Sequence, residues 1–108
     1  MTDKLFNKIW HDALVQPSED MFIGEYGYPD WFDEISTDAE EVVAKLQQIH
    51  RVAHMSVRDM LKLTGLTQAA FACKFCVPLR TVEDWSRNVR KCPDSVRLLI
   101  AYRLGMID

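Results

Sequence analysis

Thr67-Gln68-Ala69-Ala70-Phe71-Ala72-Cys73-Lys74-Phe75-Cys76-Val77-Pro78-Leu79-Arg80-Thr81-Val82-Glu83-Asp84-Trp85 holds two short helical patterns back to back. Phe71, Ala72 and Phe75 recur at helical spacing, as do Val82 and Trp85, so each segment has one apolar face. Thr67 is placed to cap the first helix, Gln68–Lys74. Val77-Pro78 ends it, because proline lacks an N–H and disfavours helix in the residue before it. Proline suits a first helical turn, so the second helix is expected from about Pro78 to Arg87. Close crossing of two such helices needs a small residue, Ala72, and apolar pegs, supplied by Phe71, Phe75, Val77, Val82 and Trp85. Leu79, Arg80, Glu83, Asp84 and Arg87 are then expected to face outward.

Short capped helices continue on either side. Ser56 can cap Val57–Leu63, with Asp59 near the positive helix end, and Gly65 stops it. Asn88 to Pro93 reads as a loop. A last helix, about Asp94 to Leu104, is expected to bury Val96, Leu99, Ile100 and Leu104. At the other end, Thr2 caps a helix over Asp3–Val15 whose Leu5, Phe6, Ile9, Trp10, Ala13 and Leu14 share a face, and Pro17 closes it. Residues 18–35 are less regular: Glu25 to Pro29 reads as a turn, and Asp30 could cap a short helix to Ile35. Thr37-x-x-Glu40 fits a capping box ahead of the stripe Ala39, Val42, Val43, Leu46, Ile49 and Ala53. Every strong pattern has helical period, so the expected fold is all-α. No Gly/Ser linker separates the halves, so an N-terminal region, 1–55, is expected to pack on the region 56–108.

The chain has 108 residues and a net charge of −3. That sign speaks against a polyanionic partner until the charge is divided along the chain. Residues 1–50 carry three Lys/Arg against eleven Asp/Glu, or −8; residues 51–108 carry ten against five, or +5. Such asymmetry suggests that one half meets a polyanion and the other does not. No run of 18 apolar residues exists to span a membrane, and the start, with charges inside an amphipathic pattern, is unlike a signal peptide. Three cysteines give no disulfide framework, which fits a reducing, cytoplasmic setting. Cys73-x-x-Cys76, Cys92 and His50-x-x-x-His54 invite a zinc reading, but only one Cys pair exists and it lies across a helix end. No metal or other cofactor is expected, and the two histidines are expected to pack at the junction of the halves. No phosphate loop, nucleophile motif or HExxH suggests an enzyme.

Leu66-Thr67-Gln68-x-x-Phe71-Ala72-x-x-Phe75-x-Val77-Pro78-x-Arg80-Thr81-Val82-x-x-Trp85 resembles the phage repressor-like (Cro/C1, Xre) helix-turn-helix family. Arg90-Lys91-Cys92-Pro93 before an apolar helix is similar to the family's continuation, so the resemblance covers roughly residues 56–105. It implies a lambda-repressor-like helix-turn-helix in the C-terminal half. It also implies base reading by Arg80, Glu83, Asp84 and Arg87, and phosphate contacts from Gln68, Lys74 and Thr81. Two positions depart from the pattern. Cys76 stands where many members have a turn glycine, so the turn must manage without easy access to positive φ, and Asn88 replaces the glycine after the second helix.

The function expected is sequence-specific binding of double-stranded DNA, as a transcriptional regulator of bacterial or phage type. A homodimer is expected, since one short recognition helix reads few base pairs. The alternative is an antitoxin-like module that neutralises a protein partner through residues 1–55 and autoregulates through the C-terminal half. Tyr26, Tyr28, Trp31 and Phe32 could supply aromatic anchors for that partner, or could be core. A third reading is a helical scaffold without DNA binding, which the acidic Glu83-Asp84 pair would suit.

Overall fold

Thr2 starts the first helix as its spacing predicts: its hydroxyl accepts the Leu5 N–H at 3.1 Å, and α1 runs Asp3–Val15. The computed structural model describes residues 1–108 and is all-helical, with seven α-helices, one 3₁₀ turn and no strand. The chain divides into two compact units, Met1–His54 with Ile107 and Met55–Met106 with Asp108. No helix is long and apolar enough to cross a membrane.

In the first unit, α2 (Glu19–Gly24) lies in the stretch expected to be irregular. Six residues are too few for a periodic stripe to register. The available signal was Ser18 ahead of Glu19 and Asp20; the Ser18 hydroxyl accepts the Met21 N–H at 3.3 Å. The short element after the turn is a 3₁₀ helix, Asp30–Glu34, which follows Pro29 and has no side-chain cap, so Asp30 does not cap it. The capping box at Thr37 also fails to form. Helix α3 (Ala39–Ala53) is capped one residue later by Asp38, whose carboxylate accepts the Glu40 N–H at 2.9 Å. Asp is as good an N-cap as Thr or better, and here it sits directly before the helix.

Val42, Leu46 and Ile49 of α3 are fully buried, and α3 packs against α1 and α2. Phe22 and Phe32 are buried with them and join Tyr26, Tyr28 and Trp31 in an edge-to-face cluster. Of the four aromatics in this stretch, Phe32 is core, Tyr26 and Trp31 are half-buried against it, and Tyr28 stays exposed. The Tyr26 hydroxyl donates to Asp12 at 2.6 Å. Burial, that bond and the Asp12 charge push the phenol well above the ordinary tyrosine range. His50 and His54 act inside this unit. Their Nε2 atoms lie 2.7 Å from the Gln16 carbonyl and 2.6 Å from the Ala13 carbonyl. A carbonyl can only accept, so each Nε2 carries the hydrogen and satisfies an orphan acceptor at the end of α1.

In the second unit, Ser56 and Asp59 form a complete capping box on α4 (Val57–Thr64), and Gly65 closes it with φ 70°. Helices α5 (Gln68–Phe75) and α6 (Leu79–Ser86) follow, and then α7 (Asp94–Arg103). The α7 register differs from expectation. Its buried residues are Arg97, Ile100 and Ala101, while Val96 and Leu104 are half-buried and Leu99 is 66% exposed. A spacing of three and four from residue 97 defines the inner face, and residue 99 falls opposite it. Arg97 could be buried because Nη1 donates to the Met55 carbonyl at 2.8 Å and Nη2 to Asp94 at 2.7 Å.

Candidate nucleic-acid interface

Thr67 fixes where α5 begins, since its hydroxyl accepts the Ala70 N–H at 3.0 Å. The helix ends eight residues later at Cys76, which takes φ 55°, and the Val77 N–H closes back on the Ala72 carbonyl at 3.0 Å. The left-handed turn thus forms without glycine. Cysteine bears the Cβ strain that glycine would avoid, and the closing hydrogen bond holds it there. Only Val77 and Pro78 then precede α6; Pro78 is its N-cap, one position ahead of the expected first turn. Phe71 and Val82 are fully buried, Ala72 and Trp85 are buried, and Phe75 and Val77 are half-buried. Helix α6 packs on both α5 and α4.

Burying Val82 and Trp85 turns other α6 positions outward. Arg80 and Arg87 are exposed, Leu79 is 44% exposed, and Thr81 and Glu83 are half-buried. Lys74 is exposed in the last turn of α5, and Gln68 is half-buried at its first position. Asp84 does not face outward. It is only 6% exposed, with Oδ1 3.3 Å from Arg80 Nε and 3.5 Å from Arg87 Nη2. The structure therefore brings Arg80, Asp84 and Arg87 into one charge cluster. The sequence signal for it was available: opposite charges four and three residues apart share a helix face. Outward placement was expected because Asp84 is polar; two flanking guanidinium groups make its burial tolerable.

After α6 the chain turns through Asn88, with φ 58°, as its side chain suggested. The Asp84 carbonyl accepts from the Val89 and Arg90 N–H groups at 2.9 and 3.3 Å, which closes the helix and sends Arg90 and Lys91 out as exposed cations. Cys73 and Cys76 are exposed and Cys92 is buried. No group of three or more His, Cys, Asp or Glu side chains is placed to hold a metal ion. Comparison with protein-family models, with curated proteins and with solved structures found no match to this chain.

Proposed function

We propose that the second unit binds double-stranded DNA in a sequence-specific way, with α5 and α6 as a helix-turn-helix and α6 as the helix that enters the major groove. The observation that carries this reading is the pair Arg80 and Arg87, exposed on an eight-residue helix whose opposite face is sealed by Val82 and Trp85. A guanidinium can bond guanine O6 and N7 together, which sets one base pair apart from the others. Exposed Lys74, Arg90 and Lys91 supply the positive charge that a phosphate backbone rewards. Gln68 and Thr81 take phosphate roles in the same arrangement, and Glu83 can accept from cytosine N4. A homodimer on a two-fold site would double the bases read. The protein is then a transcriptional regulator that acts by occupancy.

The test is selection of bound duplexes from a random pool, followed by two variants. Arg80→Ala should weaken the selected site and relax preference at one or two positions, a loss of about 1–3 kcal/mol in discrimination. Lys74→Ala should weaken all duplexes alike and reduce the salt slope by about one. Absence of salt-dependent binding to any duplex at low ionic strength would end the proposal.

A second reading gives the first unit a protein partner. Its exposed acidic side chains and Tyr28 favour it, as does a cavity of about 310 Å³ bounded by Asp12, Val15, Gln16, Phe22, Glu25 and Tyr26. A co-purifying basic protein that is released by high salt would support that role.

A further inference from the structure

Asp84 is a carboxylate on the helix proposed to meet a polyanion, and it is the one buried acidic side chain of the molecule. Its Oδ1 is sealed from water and forms no hydrogen bond of good geometry, although two guanidinium groups stand 3.3 and 3.5 Å away. A buried charge without hydrogen bonds is costly to keep, so its attraction to Arg80 and Arg87 is what compensates it. Both arginines are otherwise extended into solvent: their side chains are 79% and 59% exposed. A long exposed side chain loses rotamer freedom when it docks on a base, and a fixed anchor removes part of that loss beforehand. Asp84 touches the Nε side of Arg80, which leaves the outer Nη groups of that guanidinium for a ligand.

We infer that Asp84 is a positioning residue: it holds Arg80 and Arg87 in a shared, preset orientation and lowers their attraction for phosphate, so that α6 favours base edges over backbone. This rests on the DNA-binding reading of α6. Asp84 thus contributes selectivity while it reduces affinity for arbitrary DNA. Glu83 is half-buried on the same helix and pairs with neither arginine, so the effect belongs to Asp84.

The experiment compares the wild type with Asp84→Asn, which keeps the shape and removes the charge. Binding is measured to the selected duplex and to a scrambled duplex across a range of salt. Asp84→Asn should bind the scrambled duplex more tightly, with a salt slope steeper by up to about one, because an uncompensated arginine adds a phosphate contact. The ratio of selected to scrambled affinity should fall about tenfold, within the range one bidentate base contact provides. General loosening of the fold would flatten the slope, so steepening separates positioning from structure. An unchanged ratio in a folded variant overturns the inference and leaves the DNA-binding reading intact; failure of the wild type to bind any duplex overturns that reading instead. Nitrogen-15 relaxation of the arginine Nε–H groups in the free wild type needs no variant. Arg80 Nε should be ordered relative to exposed Arg58, and an equally mobile Arg80 Nε overturns the preset orientation whatever the binding data show.

Discussion

Trp85 and Arg97 show how single side chains hold the second unit. Trp85 is buried on the inner face of α6, so Trp85→Ala should cost about 3–5 kcal/mol in chemical denaturation, through lost burial and the cavity left behind. An unchanged midpoint would mean that the ring lies outside the core. The partner Arg97 finds in Asp94 gives a pH signature. The Arg97 hydrogen bond, more than any other influence, holds the Asp94 carboxyl below its ordinary value of 3.8. A folded-state value lowered in this way contributes stability that is present above the unfolded value and is lost as pH falls through the folded one. The stability difference between wild type and Asp94→Asn should therefore be full at neutral pH and shrink progressively below about pH 4. A difference that stays constant down to pH 2 would show that the ion pair contributes nothing to folding. Cys92 makes a chemical contrast with its fellow cysteines. Burial, the largest influence, pushes its thiol up to about 11, so it should resist alkylation in the native protein while exposed Cys73 and Cys76 react.

At the scale of elements, the turn between α5 and α6 carries a measurable strain. Cys76 adopts φ 55°, a conformation that costs an ordinary residue about 1 kcal/mol more than glycine. Its side chain is exposed, so Cys76→Gly should raise stability by up to about 1 kcal/mol, read as a higher denaturation midpoint; a lower midpoint would mean that the thiol is packed. The helices were legible in the sequence wherever a cap preceded a stripe long enough to repeat, as at Thr2, Ser56 and Thr67. They were illegible where competition between adjacent caps decided the start, as between Thr37 and Asp38, and where α2 was too short to show a period. The inner face of α7 was misread because apolar residues were assumed to define it. Arg97 occupies the face because the Met55 carbonyl and Asp94 satisfy it; Met55 is distant in sequence, and Asp94, one turn earlier on α7, forms a charge pair that an apolar stripe does not reveal. The same limit applies to the candidate interface: the exposure of Arg80 and Arg87 followed from the burial of Val82 and Trp85, while Asp84 turned inward through a pairing no hydrophobicity pattern records.

Across the whole molecule the dominant feature is electrostatic: −8 on residues 1–50 and +5 on residues 51–108, both plain in the sequence. If the second unit binds DNA, the acidic half opposes approach to every duplex alike, because a diffuse field carries no base information. Asp33, Glu34 and Glu40 are exposed, so neutralising them disturbs little packing. Asp33→Asn, Glu34→Gln and Glu40→Gln together take the chain from −3 to zero net charge. The triple variant should bind selected and scrambled duplexes more tightly by the same factor at low ionic strength. The gain should fade near physiological salt, where charges are screened beyond roughly 8 Å. Their affinity ratio should not move, which is the opposite of the result expected for Asp84→Asn. The same variant weighs the rival role for the first unit: loss of a co-purifying basic partner on neutralisation, with no change at any duplex, would assign these acidic side chains to that partner and remove them from the electrostatics of DNA binding.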